Sequence, residues 1–180
     1  MKTYKQILLS TIALAAAIAG AVWYTKKHKY ITTATKMTDL RNSETKLPRG
    51  YRNNNPLNIR YDKRNNWQGK VLPNTDGQFE IFSAIEYGYR AALYLMRRYI
   101  REYNLNTVAA LISRWAPNNE NDTARYISRV CETTGYLPST TLNANNGAQL
   151  RNLAYAMALV ENGYNPLPDA EQIKTAWDML

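Results

Sequence analysis

Near the C-terminal end of this 180-residue sequence, Glu161 follows apolar residues at helical spacing, four after Met157, seven after Ala154 and eleven after Leu150. That spacing puts it on the stripe turned towards the core or a cleft, and not on the solvated face. Gly163 fits the left-handed residue that stops a helix, so the carboxyl falls in the last turn, where free carbonyls and the helix dipole disfavour negative charge. Both effects raise its pKa. A carboxylic acid kept protonated near neutrality is what glycosidic cleavage needs, because the leaving oxygen must gain a proton as the bond breaks. The alternative is a helix-end glutamate that reaches water or pairs with a cation such as Arg151.

Three other acids compete with Glu161. Glu120, in the run NNENDT, precedes a helix and fits a capping or loop-bracing role. Glu80 alternates with Phe79 and Ile81 and so faces away from them, towards solvent or a glycan cleft. Glu44 lies in a polar stretch with no helix around it. Glu161 ranks first. Other chemistries are removed by composition: His28 is the only histidine and Cys131 the only cysteine. Zinc sites of the His/Cys type, serine triads and Cys-His pairs are excluded within one chain, as is an intramolecular disulfide. Catalysis must use carboxylates, tyrosines, lysines or an oxygen-bound metal, and the glutamate chemistry requires no metal or cofactor.

The elements that must hold these residues are mostly helical. The stretch Arg52 to Trp67, RNNNPLNIRYDKRNNW, is built from turn formers and predicts an ordered loop anchored by Leu57, Ile59, Tyr61 and Trp67. Gln78 to Phe82 alternates enough for a short strand. Ile85, Tyr89, Ala92, Leu93, Met96, Tyr99, Ile100 and Tyr103 predict one long amphipathic helix. A second helix starts with Thr107 as N-cap, buries Val108, Leu111, Ile112 and Trp115, and stops at Pro117. A third runs from Asn121 or Asp122 to Gly135, with Ile127, Val130 and Cys131 on its apolar face. A fourth begins near Asn146 and shows a stripe of Leu150, Leu153, Ala154, Met157 and Val160. A last helix covers Asp169 to Leu180. The fold class is therefore mainly α with a short β element.

The N-terminal segment reads MKTYKQ, then ILLSTIALAAAIAGAVWY, then TKKHK. A cleavable signal would use Ala19-Gly20-Ala21; an uncleaved anchor would continue through Val22, Trp23 and Tyr24. The apolar run does not stop at the small residues, which favours a single-pass membrane anchor through residues 7–24. The chain divides into an anchor with basic flanks over 1–30, a linker over 31–48 and a folded domain over 49–180. The net charge of +9 is concentrated in front: from residue 36 onward 18 basic residues face 14 acidic ones. That excess suits an acidic polymer or an anionic surface, and it is not the dense stripe of a nucleic-acid binder. Arg97, Arg98 and Arg101 read as a solvated basic face.

The stretch Ala156-Met157-Ala158-Leu159-Val160-Glu161-Asn162-Gly163-Tyr164-Asn165-Pro166 resembles the catalytic-helix signature of lytic transglycosylases and goose-type lysozymes. Asn162 stands where those proteins commonly carry Ser, at a position thought to help orient the acid. A second resemblance runs from Arg49 to Gly135. It rests on RGYRNNNPLNIR, Trp67-Gln68-Gly69, Phe79-Glu80-Ile81-Phe82, Tyr87-Gly88-Tyr89-Arg90-Ala91 and RWAPNNENDT. These resemble a group of small phage and prophage proteins described as virion structural or lysozyme-like. NPLNIR, WQG and FEIF are also similar to the Asn-rich loop, W-x-G and aromatic strand of flagellar-type glucosaminidases. There the glutamate helix precedes the loop, whereas here it follows about a hundred residues later. A permuted order would reconcile the two, with the late helix closing the same cleft.

These resemblances imply a lysozyme-like domain that cuts the glycan strand of peptidoglycan, with Glu161 as acid and then base. They imply Asn55, Asn58, Tyr61, Trp67 and Tyr87 as glycan contacts, through amides for N-acetyl groups and aromatic faces for sugar rings. A single glutamate favours transglycosylation over hydrolysis, which would normally want a second carboxylate. The competing reading is a membrane-bound virion or envelope protein that keeps the shape without the chemistry. Expected partners are peptidoglycan, a lipid membrane and virion proteins, with no nucleic acid. The expected location is a virion membrane or a bacterial envelope.

Overall fold

The computed structural model describes residues 47–119, 122–163 and 168–180, all within the unit Leu47–Leu180. The anchor expected over 1–30 and nearly all of the linker expected over 31–48, with Glu44, lie outside the described residues, as does Glu120. No described helix is long and apolar enough to cross a membrane.

Six described helices follow in order: α1 Arg49–Arg52, α2 Ile85–Tyr103, α3 Val108–Trp115, α4 Thr123–Thr134, α5 Gly147–Asn162 and α6 Ala170–Asp178. Their ends are set by local chemistry. The Thr107 hydroxyl accepts from the Ala110 N–H at 3.2 Å, the Asp122 carboxylate from Arg125 at 3.0 Å and the Asn146 carbonyl from Gln149 at 3.0 Å, each satisfying a first-turn donor. Gly135 and Gly163 take φ of 73° and 76° where α4 and α5 stop, a left-handed turn that costs glycine least.

Helix α5 is the hub of the fold. Leu150, Leu153, Ala154, Ala156, Met157, Ala158 and Leu159 are all buried, so apolar side chains surround the axis where a single stripe was expected. A helix buried over more than one stripe has neighbours on several sides, and α5 packs against α1, α2, α4 and α6, leaving Asn152 exposed. Val160, placed on the expected stripe, is only half-buried. The buried face of α4 also differs from expectation. Thr123, Tyr126 and Val130 are buried, while Ile127 and Cys131 are half-buried.

The short strand expected over Gln78 to Phe82 is instead a segment held by single antiparallel bridges, Phe79 to Arg60 and Phe82 to Lys70. The Tyr61 N–H donates to Gln78 O at 2.8 Å, and Val71 to Ile81 O at 2.8 Å. The segment thus sits between two arms of the Asn-rich loop and fixes both. Two glycines let this loop region press against helices. A Cβ on Gly88 would lie 2.0 Å from the Asn54 carbonyl oxygen, and one on Gly50 would lie 2.5 Å from Asn162 Oδ1.

Candidate active site

The last turn of α5 places the half-buried Glu161 on the lining of a cleft. The Asn58 amide donates to Glu161 Oε2 at 2.9 Å, and the Tyr126 hydroxyl donates to Oε1 at 2.9 Å. Glu161 makes no pair with Arg151. Burial pushes its carboxyl pKa up, and the two donated hydrogen bonds only partly oppose this. Tyr126 is itself buried, and its phenol is raised well above its ordinary range, first by desolvation and then by the Glu161 charge. It therefore stays a donor. The result is a carboxylic acid held at both oxygens and biased towards its protonated form.

Asn58 is aimed by the loop around it. It takes a left-handed φ of 49°, a conformation that asparagine tolerates better than most residues, and its N–H donates to Asn55 O at 2.9 Å. Asn55 is fully buried. Its amide donates to Ile59 O at 2.9 Å and Glu80 O at 3.0 Å, and its carbonyl accepts from the Ile59 N–H at 2.9 Å. With every polar atom committed, Asn55 shapes the loop and offers nothing to a substrate, contrary to the glycan contact expected of it.

Asn162, in the place where Ser was the familiar residue, is also structural. Its amide donates to Pro56 O at 2.7 Å and to Ala158 O at 2.8 Å. It ties the end of α5 to the 55–59 loop and leaves the orienting of Glu161 to Asn58 and Tyr126.

Glu80, weighed as an alternative acid facing outward, is fully buried. It accepts from Lys70 Nζ at 3.1 Å and from the Asp62 N–H at 3.2 Å. Lys70 also donates to Asp62 O at 2.7 Å and Asn65 O at 3.0 Å, and its ammonium lies 4.7 Å from the Tyr61 ring centroid. This buried pair pins the arm carrying Tyr61 and Trp67, and Glu80 shares the buried side of its segment with Phe82. Tyr87 likewise braces rather than lines: it packs on Gly69, where a Cβ would come within 2.2 Å of its ring.

The cleft has a volume of about 570 Å³, and Asn58, Tyr61, Trp67 and Glu161 all line it. Residues of the loop and the late glutamate therefore line one cleft. Tyr99, Trp115, Arg98 and Arg114 complete a wall; Arg114 and Trp115 belong to the RWAPNNENDT stretch, and none of the four was expected as a contact. Trp67 meets Tyr94 edge-on at 5.9 Å, and the Trp115 indole N–H donates to Leu57 O at 3.3 Å. Sequence reading also missed Tyr126; its period with Thr123 and Val130 on α4 was the available signal. Asp62 is the other described carboxylate lining the cleft. Arg64 clamps it at 2.6 Å and lowers its pKa to about 2. Among the described residues no three His, Cys, Asp or Glu side chains are grouped to hold a metal.

No protein-family model matches the chain. Protein P5 of Pseudoalteromonas phage PM2 is 35% identical to it over 145 residues, covering 78% of this chain and 89% of that protein.

Proposed function

The chain belongs to the family of Protein P5 of Pseudoalteromonas phage PM2, and from that premise we propose that it is a phage protein whose lysozyme-like domain cuts the glycan strand of peptidoglycan, with Glu161 as the catalytic acid. One observation carries the reading: Glu161 is half-buried where it lines the cleft, fixed by Asn58 and Tyr126, with its pKa raised by desolvation. In that state it gives its proton to the bridging oxygen as the glycosidic bond breaks. The resulting carboxylate then takes a proton from the attacking hydroxyl, which restores the acid.

The identity of that hydroxyl follows from the second carboxylate. A hydrolase of the usual kind needs a nucleophile or a base beside the acid. Asp62 suits the base role poorly, because Arg64 engages both of its oxygens and holds its pKa low. The sugar's own hydroxyl is the better attacker, and an anhydro product the expected one. Residues 7–24 would anchor the domain to a virion membrane or cell envelope.

A second reading, a particle or envelope protein that binds the wall without cutting it, draws support from Asn162 standing in place of Ser and from membership of a phage family. Mass spectrometry of the products released from purified peptidoglycan by the full-length chain, beside Glu161→Gln, separates the two. Anhydro-muropeptides that vanish in the variant support cleavage. Reducing-end products would point to hydrolysis. Binding to the wall without any release would favour the structural role.

A further inference from the structure

The charges lining the cleft are unevenly matched. Asp62 is clamped by Arg64, Arg98 is bonded to Glu102 at 2.6 Å, and Glu161 is biased to its neutral form. Arg114 differs: among the described residues no carboxylate pairs with it. Its guanidinium lies 5.7 Å from the centroid of the Tyr99 ring, so an aromatic face, and not an acid, holds it in place. The turn of α3 that carries it is fixed to the 55–59 loop, because the neighbouring Trp115 donates to Leu57 O at 3.3 Å. Arg114 is exposed and shares the cleft with Trp67 and Glu161.

A planar two-pronged donor supported on an aromatic ring matches a carboxylate in both shape and charge. We propose that Arg114 binds a free carboxylate carried by the substrate, so that the cleft selects glycan whose muramic-acid carboxyl bears no peptide over a neutral N-acetylglucosamine polymer. This rests on the glycan-cleft reading of the same site. The aromatic walls grip any sugar face, and Arg114 supplies the discrimination.

The test uses the full-length Glu161→Gln protein, in which turnover is blocked. Isothermal titration calorimetry compares an N-acetylglucosamine–N-acetylmuramic acid disaccharide with neutral chitobiose. The acidic disaccharide should bind about tenfold more tightly. The preference should disappear with Arg114→Gln, survive in part with Arg114→Lys, and shrink as salt is added. Equal binding of the two sugars, binding of neither, or a preference that persists in Arg114→Gln with an unchanged circular dichroism spectrum would overturn the assignment. Cleavage of peptide-free glycan strands is scored separately with Glu161 intact. Normal cleavage and KM in Arg114→Gln would remove the role of Arg114 while leaving the acid in place. No cleavage by the unaltered chain, with the Arg114-dependent preference intact, would remove the enzyme reading and leave this one standing.

Discussion

Asn58 and Glu161 are separated by 103 positions in the chain, and the amide of one donates to the carboxylate of the other at 2.9 Å. The bond joins an early loop to the last turn of the central helix. It is held from both sides: Asn55 fixes the loop, and Asn162 ties the helix end to Pro56. The position of the acid is thus a property of the assembled domain and not of its signature stretch.

Tyr126→Phe removes a hydroxyl and leaves the ring in its buried place. The lost hydrogen bond favoured the carboxylate form, so the Glu161 pKa should climb further. A general acid works only while protonated, so the alkaline limb of kcat/KM should move to higher pH. The rate at the optimum should fall on the order of 10- to 100-fold, because one oxygen of the acid is no longer held. A pH–rate profile on peptidoglycan checks both, and a limb that stays put or moves down would count against Glu161 as the acid.

Stability should also carry the mark of the raised Glu161 pKa. An acid whose folded pKa lies above its unfolded one binds more protons in the folded state, so stability falls as pH rises from the unfolded value through the folded one. Glu161→Gln escapes this loss. Its Tm should exceed that of the unaltered chain by a few degrees in neutral and alkaline buffer, with the gap closing below the ordinary carboxylate range near 4.5. Thermal melts across pH provide the measurement; a variant less stable at every pH would mean that Glu161 is a structural hydrogen-bond acceptor and little else.

The helix ends were legible because their causes are local. Thr107, Asp122, Asn146, Gly135 and Gly163 act within one turn of themselves, and residue type alone marks them. Glu161 was legible for the same reason, through its spacing from Met157 and its distance to Gly163. Its partners were not. Tyr126 and Asn58 reach it from elements far away in the chain, and no local pattern distinguishes a tyrosine that donates to an acid from one that fills a core. Glu80 misled because strand alternation was taken to set its direction. The alternation holds, but its buried side is the one that carries Glu80 and Phe82, with Phe79 and Ile81 half-buried, and Lys70 pairs with the carboxylate there. Asn55 and Asn58 look alike in NNNPLN, yet only Asn58 adopts the left-handed backbone that points towards the cleft.

The Lys70–Glu80 pair should behave as a buried brace. Lys70 and Glu80 side chains are 6% and 0% exposed, so Lys70→Met leaves a charge without a partner in the interior and should cost about 3–5 kcal/mol. Lys70→Met with Glu80→Gln should recover part of that loss, since the stranded charge is then gone. It should not recover all, because the Asp62 and Asn65 carbonyls still lack their donor. Urea unfolding of the two variants beside the unaltered chain checks the order. If Lys70→Met costs no more than an exposed pair would, the loop does not depend on this bridge.

Asn162→Ser restores the residue common to the resembling lytic enzymes, and it should make this chain worse. Serine is too short to reach Pro56 O, to which the Asn162 amide now donates at 2.7 Å. Losing that bond in a buried place should cost about 1–2 kcal/mol. The larger effect should appear in turnover, because slack between α5 and the 55–59 loop lets Asn58 drift from Glu161. The expected result is a fall in kcat greater than the change in KM, accompanied by a weaker hold on the acid and an alkaline limb shifted upward, as in Tyr126→Phe. Steady-state kinetics on soluble glycan fragments would decide it. An Asn162→Ser protein with higher kcat would show that the serine orients the acid here as well, and that Asn162 is a handicap rather than the link between helix and loop.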